Sequence, residues 1–394
     1  MTRMMKQHTL KKTVWLSIGI VTLLLFLFRF TSSKTPDLQQ VLKQSANIIP
    51  QDSLPVNNEK RTQEEFSKKI DEITEKMMKQ QDLRLTKLEQ DRVNLERQLM
   101  DMKRPPSDAS LREKLAFIFP YDQNRKFPAY IWQSWKWGLN DERFGERFKE
   151  GELQWALKNP GFVHELFNDD TAGAIIHHIY MHLPEIVEAY ELMPNVILKM
   201  DFFRYLILLA KGGVYADVDT FPLQPVPNWI PENVAPSEIG MIIGIQADPD
   251  TPDWREHYAR RLQFANWVIQ SKPGHPILRE IVATITEDTH QRKKNDNLRL
   301  DTESKSKDIS IMQWTGGGVW TDTIFTYFND YVLSGIYSKV TWKDFTKLDV
   351  PKLVSDVLVL PITSFSPGIA KMGSQDEDHP LAFVKHYFEA FHSQ

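Results

Sequence analysis

Residues 199–225 read KMDFFRYLILLAKGGVYADVDTFPLQP, and this stretch determines the class of fold. Its first part, residues 199–211, is strongly apolar and predicts a buried helix. Gly212 and Gly213 follow where that helix should end, because glycine tolerates the positive φ angle of a helix C-terminus. Residues 214–219 then predict a strand that ends in two carboxylates. A helix, a glycine turn and a strand in this order are typical of an α/β domain.

Strands and helices alternate on both sides of this stretch. The predicted strands are residues 129–134, 239–246 and 356–361, and the predicted helices are residues 142–157, 172–183, 184–193 and 316–331. Residues 291–308 are polar and predict a solvated loop or insertion. The alternation favours an α/β fold with a mostly parallel sheet and flanking helices, in one domain that covers residues 111–394.

The two carboxylates at the end of the central strand, Asp217 and Asp219, carry the most chemical information. Residues i and i+2 of a strand point to the same side, so both groups should converge at the edge where open α/β sheets bind ligands. Adjacent carboxylates repel each other. A divalent cation such as Mn²⁺ or Mg²⁺ removes that repulsion and leaves coordination sites for phosphate oxygens. The sequence therefore predicts a site for a cation and a diphosphate, with a solvated strand end as the alternative.

A D-x-D sequence after an apolar strand also resembles the motif of haloacid-dehalogenase-type phosphatases. In that class Asp217 would accept the phosphoryl group and Asp219 would be the acid and base. A glycine usually follows the second aspartate, and an Asp-Asp pair lies further along the chain. Here Thr220 follows, and Asp169 and Asp170 lie upstream. The cation site fits the pattern better, and the phosphatase is an alternative.

The composition excludes several kinds of site. The chain has 394 residues, a net charge of −4 and no cysteine. Disulfides, thiolate zinc sites and thiol nucleophiles are therefore excluded. The slightly acidic balance gives no reason to expect a nucleic acid partner.

The N-terminus predicts a membrane anchor. Residues 1–12 are basic, and residues 13–28 (TVWLSIGIVTLLLFLF) contain no charge before Arg29. This pattern predicts a single-pass helix at residues 13–30, with residues 1–12 in the cytosol and the rest of the chain in the lumen. A cleaved signal peptide is the alternative, although no small-residue cleavage site follows the apolar run.

Residues 31–110 predict a linker followed by a helical stem. From residue 59 to 104 the chain is rich in Glu, Lys, Gln and Arg and lacks Gly and Pro. Apolar residues recur at coiled-coil spacing in two blocks: Phe66, Ile70, Ile73 and Met77, then Leu88, Leu95, Leu99 and Met102. We expect this stem to associate with itself or with a partner subunit. A solitary charged helix is the alternative.

Taken together, the motifs resemble the fungal Golgi α-1,6-mannosyltransferases of glycosyltransferase family 32. The resemblance rests on FPAYIWQSWK (127–136), NPGFVHELFNDD (159–170), the 199–225 stretch, NWVIQSKPGHPIL (266–278) and WTGGGVWTDTI (314–324). It implies a GT-A-like, Rossmann-type fold, GDP-mannose as donor, Mn²⁺ as the metal, with Mg²⁺ possible, and retention of configuration. It also implies a mannoside of N-glycans or mannan as acceptor, and a type II protein of the Golgi membrane. A non-catalytic scaffold subunit of such a complex is the competing hypothesis.

The same resemblance implies roles for four residues of the central stretch. Asp217 would contact the donor ribose and approach the metal, and Asp219 would bind the metal directly. Asp201 and Arg204 would hold the donor sugar. Because they are three residues apart on a helix, an ion pair on the protein surface is the alternative for them.

Three further positions are expected to contribute to the site. Trp132, at the end of the first predicted strand, is a candidate for stacking on the guanine, with a core tryptophan as the alternative. Asp322 is a candidate catalytic residue that contacts acceptor or sugar, or else it is only an acid in the first turn of a helix. Residues 316–318, three glycines, either approach a phosphate or form a plain turn.

A third metal ligand is expected near the C-terminus, and His386 is the first candidate. The Gly-Ser-Trp that often follows this histidine in related enzymes is absent here. His379 and His392 therefore stay open as alternatives. His178 and His182 have the i,i+4 spacing of helical metal ligands, but no third ligand accompanies them in the sequence.

Overall fold

The computed structural model describes residues 59–101, 108–300, 304–331 and 339–388. The predicted cytosolic tail, membrane anchor and linker, residues 1–58, lie outside these ranges. Within the described ranges, no helix combines the length and the apolar character that crossing a membrane requires.

The predicted stem contains one long helix, α1, which covers Glu59–Asp101. Its apolar side chains Ile73, Met77, Leu88 and Leu95 are 57 to 65% exposed. The helix itself is confirmed, whereas its association with a partner stays a prediction.

The rest of the described chain is an α/β unit. Its helices are α2 (Leu111–Ile118), α3 (Glu146–Lys158), α4 (Asp169–Ile179), α5 (Pro184–Leu192), α6 (Val196–Lys211), α7 (Pro276–Lys294), α8 (Ser304–Trp314), α9 (Gly317–Thr326) and α10 (Ile362–Phe365). Its strands are β1 (Tyr130–Ser134), β2 (Val163–Phe167), β3 (Gly213–Ala216), β4 (Thr220–Pro222), β5 (Met241–Ala247), β6 (Gln263–Phe264), β7 (Val268–Ser271), β8 (Lys352–Val354), β9 (Val357–Leu360) and β10 (Val384–His386).

The main sheet has the strand order β2-β1-β3-β7-β5-β9-β8, with β6 paired to β5. Strands β1, β2, β3, β5 and β9 run in one direction, and β7 runs against its neighbours β3 and β5. The predicted mixed α/β fold with a mostly parallel sheet is therefore confirmed. The reversal of β7 brings the residues just before it to the edge where β3 and β5 end.

The core lies on both faces of this sheet. Alternate residues of β3 point to opposite sides, so that Tyr215 joins the larger apolar cluster and Val214 joins the smaller one. The larger cluster includes the buried face of α6, and the smaller one includes Trp155 of α3 and Trp229. Helices thus cover the sheet on both sides, as the alternating sequence predicted.

The glycine turn after α6 forms as predicted. Gly212 ends the helix with φ 65°, and its N–H donates to the Leu208 carbonyl. Gly213 has φ 96°, and a Cβ atom there would lie 2.8 Å from the Tyr130 carbonyl oxygen. Positive φ and close packing together require glycine at both positions.

Several predicted boundaries are wrong; helix α4, for example, covers Asp169–Ile179 rather than residues 172–183, and two other differences bear on the site. Residues 291–308 are not one loop, because α7 continues to Lys294 and α8 begins at Ser304. The central strand ends at Ala216 rather than at residue 219, since the Thr220 N–H donates to the Asp217 carbonyl and closes a turn. The two carboxylates therefore lie in a turn beyond the strand, between β3 and β4.

The C-terminal strand returns to this turn. Strand β10 pairs antiparallel with β4 in a separate two-stranded sheet, with His386 opposite Thr220. The Tyr387 N–H also donates to the Asp219 carbonyl at 3.0 Å. A residue near the end of the chain is thereby placed beside the D-x-D sequence.

Candidate active site

Helix α6 carries the predicted Asp201 and Arg204 on one face. Both are only 6% exposed, and Arg204 Nη2 lies 2.7 Å from Asp201 Oδ1. Asp201 also accepts hydrogen bonds from the Thr315 hydroxyl and the Asn266 amide. The ion pair is therefore buried, and its interpretation as a pair on the protein surface is wrong. Burial raises the pKa of Asp201, against the opposing charge of Arg204.

Asp217 joins this pair from the turn after β3. Its Oδ1 atom lies 3.2 Å from Arg204 Nη2, so one guanidinium faces two carboxylates. The Arg204 Nη1 group donates in addition to the Asn266 carbonyl at 2.7 Å. Burial raises the pKa of Asp217 to about 6, with Arg204 opposing and Asp219 adding to that increase. The arginine is fixed from several sides before any ligand binds.

Asp219 lies on the other side of the turn and contacts His386. It is 2% exposed, and its Oδ1 atom lies 3.0 Å from His386 Nε2. His379, the alternative candidate, instead accepts the Leu381 N–H through its Nδ1 atom. His392 lies outside the described residues.

Asp217, Asp219 and His386 each offer one ligand atom, and these atoms lie within 4.8 Å of one another. Two carboxylate oxygens and an imidazole nitrogen are a suitable set for Mn²⁺, and carboxylates also suit Mg²⁺. Burial, with a smaller contribution from the nearby Asp219, raises the pKa of Asp217, so that positive charge bound here would be favourable. The residues therefore fit a divalent cation.

Aromatic rings hold the imidazole of His386 in place. Trp267 stacks on it with the ring centroids 4.6 Å apart and the planes 12° from parallel. Phe388 contacts the imidazole on edge at 4.1 Å. The Trp267 carbonyl accepts the Asp217 N–H at 2.8 Å, so the same residue contacts both sides of the carboxylate cluster.

A cavity of about 400 Å³ opens beside these groups. A pocket of this volume is sufficient for a small organic ligand. Asp201, Arg204, Asp217, Asp219 and His386 all line it. The residues that the sequence predicted for donor and metal binding on α6, in the D-x-D turn and at the C-terminus thus meet in one place.

This chain is similar to a family model and to several known proteins. Residues 145–236 match the family model described as glycosyltransferase sugar-binding region containing DXD motif. The chain is 46% identical to the putative glycosyltransferase HOC1 of Saccharomyces cerevisiae, covering 92% of this chain and 90% of that protein. It is 44% identical to the initiation-specific α-1,6-mannosyltransferase of Candida albicans, covering 72% of this chain and 76% of that protein. The protein of the same description from Saccharomyces cerevisiae is 32% identical, covering 75% of this chain and 84% of that protein.

The chain belongs to the fungal α-1,6-mannosyltransferase family.

Several residues that line the cavity of this family member were not predicted. They are Trp135, Lys136, Gln246, Tyr258, Gln263, Asn266, Trp267, Asp308 and Met312, among others. Trp135 and Lys136 directly follow β1, and this position could have indicated them because ligands bind where parallel strands end. Asp308 lies in the segment that was expected to be a loop. Nothing in the sequence showed that Asn266 and Trp267 precede a reversed strand.

The glycines at the start of α9, Gly317 and Gly318, are needed for packing in this transferase. A Cβ atom on Gly317 would lie 2.7 Å from Gln263 Nε2, and one on Gly318 would lie 2.7 Å from the Met312 carbonyl oxygen. Gly316 and Gly317 both line the cavity. The segment is therefore neither a plain turn nor an open loop, because it lets a helix begin close to the cavity wall.

Two predicted site residues lie away from the cavity. Trp132 is buried in the core, stacks on Tyr130 and donates its Nε1–H to the Gly212 carbonyl. The stacking of Trp132 on a guanine is corrected accordingly, since its ring is already packed inside the protein. Asp322 is 51% exposed in its side chain and forms an ion pair with Arg260. It contacts neither Asp217 nor Asp219.

His178 and His182, whose spacing alone suggested a metal pair, do not form a metal site. His178 is exposed on α4, and His182 lies beyond the end of that helix. Among the described residues, the cluster suited to a metal is the one around Asp219.

Proposed function

We propose that this chain transfers mannose from GDP-mannose to a mannoside acceptor and forms an α-1,6 linkage with retention of configuration. The observation that carries the proposal is the position of Asp217, which lies 3.2 Å from Arg204 and belongs to the cluster with Asp219 and His386. One carboxylate thereby connects a site suited to a sugar with a site suited to a cation. The names of the relatives, initiation-specific α-1,6-mannosyltransferase, support mannose as the sugar.

In this proposal Asp217, Asp219 and His386 hold Mn²⁺, with Mg²⁺ as the alternative. A cation bound there neutralises negative charge on a leaving diphosphate. The family of DXD transferases and the close donor atoms of these three residues support it.

Arg204 and Asp201 orient the donor. Arg204 is buried, and its guanidinium is fixed by Asp201, Asp217 and the Asn266 carbonyl. Groups that are already fixed stabilise a transition state without reorganising during the reaction. We propose that Arg204 and Asp201 contact the mannosyl unit and its neighbouring phosphate.

The transfer itself takes place on one face of the sugar. The bond between mannose C1 and the diphosphate oxygen breaks, and the acceptor hydroxyl oxygen bonds to C1 from the same side. The hydroxyl proton passes to the departing diphosphate. The protein contributes mainly orientation and electrostatic stabilisation to this step.

The test is product analysis with the full-length protein, GDP-mannose, Mn²⁺ and a panel of mannoside acceptors. We expect a mannosylated product whose linkage and anomeric configuration can be read by NMR, and Asp219→Ala should remove this activity while the protein still folds. Failure of the wild-type protein to bind GDP-mannose, with or without Mn²⁺, would favour the scaffold hypothesis. Turnover of phosphomonoesters without a glycosyl acceptor would favour a phosphatase.

We also propose a single-pass location in the Golgi membrane with the catalytic domain in the lumen and the stem in contact with another subunit. The basic residues 1–12 and the uncharged run at 13–28 support this arrangement. Protease protection in sealed Golgi vesicles tests it, because a lumenal C-terminal tag should be cleaved only after detergent is added. Cleavage in intact vesicles would contradict it.

A further inference from the structure

The buried tryptophans of the described chain differ in whether the indole N–H has an acceptor. In one group Nε1–H donates within the protein: Trp132 to the Gly212 carbonyl, Trp155 to Thr220 Oγ1, Trp314 to Thr289 Oγ1 and Trp320 to the Ala265 carbonyl. In the other group, Nε1 is buried without a partner: Trp135, Trp229 and Trp267. Buried indole N–H groups usually find a partner, so each exception needs a reason.

Two of these exceptions share one location. Trp135 and Trp267 are 9% and 4% exposed, and both line the cavity beside Asp217. Trp229 does not line it and packs instead against Phe365 and Phe383. A ligand in the cavity would supply the missing acceptor atoms for Trp135 and Trp267, whereas nothing in the described structure explains the unpaired N–H of Trp229.

The donors at the cavity have a common chemistry. An indole N–H can donate a hydrogen bond but cannot accept one. Arg204 also lines the cavity, and its Nε atom is likewise buried and unpartnered. A ligand that matches these three groups is rich in acceptor oxygens. A diphosphate joined to a sugar has that character.

Trp267 is the better placed of the two indoles for the phosphates. Its carbonyl accepts the Asp217 N–H, and its ring stacks on His386, so it adjoins the candidate metal ligands on two sides. Trp135 follows the end of β1 in the cavity wall, next to Lys136.

We propose that Trp135 and Trp267 bind the donor substrate by donating their indole N–H groups to acceptor oxygens of its nucleoside diphosphate part, with Trp267 serving the diphosphate. This inference rests on the proposed function. It adds two donor-binding residues that the D-x-D sequence does not contain.

The test uses Trp135→Phe and Trp267→Phe in the full-length protein, because phenylalanine keeps an aromatic ring and removes the N–H. Titration with GDP at saturating Mn²⁺ should show binding weakened about fivefold or more for each variant, the size expected for a lost hydrogen bond. Trp229→Phe is the matched control, since it removes an equally unpaired N–H away from the cavity. It should bind GDP within about twofold of the wild type.

The outcomes separate this inference from the proposed function. If wild-type protein does not bind GDP, the proposed function and this inference both fail. If wild-type binding is normal and neither Phe variant is weakened, only this inference fails. A role of Trp267 that acts solely through His386 would instead change the Mn²⁺ concentration needed for activity and leave GDP affinity unchanged at saturating Mn²⁺. Should the variants not fold, a GDP-bound structure of the wild-type protein decides. Each of the two Nε1 atoms must then lie within hydrogen-bond distance of an acceptor atom of GDP, and the absence of such contacts would contradict this inference.

Discussion

His386 Nε2 lies 3.0 Å from Asp219 Oδ1, although the two residues are 167 positions apart in the chain. The contact forms because β10 pairs with β4, which directly follows the turn that carries the carboxylates. The candidate metal site is therefore assembled from two distant segments of the catalytic unit.

This contact predicts that His386 contributes to metal affinity. For His386→Ala we expect the Mn²⁺ concentration at half-maximal activity to rise by about tenfold or more, because even the outer partners of metal ligands typically contribute about 10- to 100-fold. The measurement is activity against Mn²⁺ concentration. His379→Ala is the control, since His379 only accepts the Leu381 N–H, and it should leave that concentration unchanged. Equal effects of both changes would contradict the assignment.

Asp201 and Asp322 should differ sharply in their importance for activity. Asp201→Asn keeps the shape of the side chain but removes one of the two charges that hold Arg204, so we expect kcat/KM to fall by about 100-fold or more. Asp322→Asn removes a half-exposed ion pair with Arg260, which typically contributes about 1 kcal/mol or less. Its activity should stay within about threefold of the wild type. A large loss of activity in a normally folded Asp322→Asn variant would instead support the predicted contact of Asp322 with acceptor or sugar.

A methyl group at Gly318 should destabilise the fold. The Cβ atom of Gly318→Ala would lie 2.7 Å from the Met312 carbonyl oxygen, so α8 or α9 would have to move. We expect the free energy of unfolding to fall by about 1–3 kcal/mol, measured by urea denaturation. Gly173→Ala is the matched control, because Gly173 lies inside α4 and a Cβ atom added there would meet no atom within 4 Å. It should stabilise the protein by about 0.4–1 kcal/mol, and a similar loss in both variants would contradict the packing argument.

Asp356 should make the folded state sensitive to acid. Burial alone would raise its pKa, but the adjacent His275 imidazole and the hydrogen bonds from Tyr121 and Tyr327 hold that pKa well below its usual range. A carboxyl group with a depressed pKa in the folded state stabilises fully above its unfolded pKa, about 3.9, and that stability is lost as the pH falls further. Asp356→Asn should therefore lower the free energy of unfolding at pH 7 by about 3 kcal/mol, since it disrupts a buried charged network.

The pH dependence supplies a second, independent readout for Asp356. Between about pH 4 and about pH 2, wild-type protein should lose more unfolding free energy than Asp356→Asn, which has no carboxyl group to protonate at that position. The half-exposed Asp322→Asn serves as control and should follow the wild type. If the unfolding free energies of wild type and Asp356→Asn fell equally with pH, the network around Asp356 would not be a source of acid sensitivity.

Local features of the site were predictable from the sequence. The apolar run of α6, Gly212, Gly213 and the two carboxylates are neighbours in the chain, and their geometry depends on backbone preferences that act over a few residues. The spacing of Asp201 and Arg204 on one helical face follows from the same rule. The burial of Asp201 and Arg204 could not be predicted from the sequence, because whether their helical face contacts solvent or protein depends on what packs against it.

Contacts between distant segments were not predictable in the same way. Trp132 lies on β1 and Trp135 directly follows it, three positions later. Trp132 nevertheless lies in the core, and Trp135 lines the cavity. Asp308 reaches the cavity because a helix begins at Ser304 where the polar composition indicated a loop. Polar side chains on one exposed helix face give the same composition as a loop.

By itself, the sequence determined the alternation of strands and helices, the glycine turn and the chemistry of the D-x-D sequence, since each depends on interactions between near neighbours. The tertiary structure alone decided that β7 runs in the opposite direction and brings Trp267 to the carboxylates, and that β10 returns His386 to Asp219. Strand order and direction are set by which buried surfaces fit together over the whole sheet, and that information is not contained in any single segment.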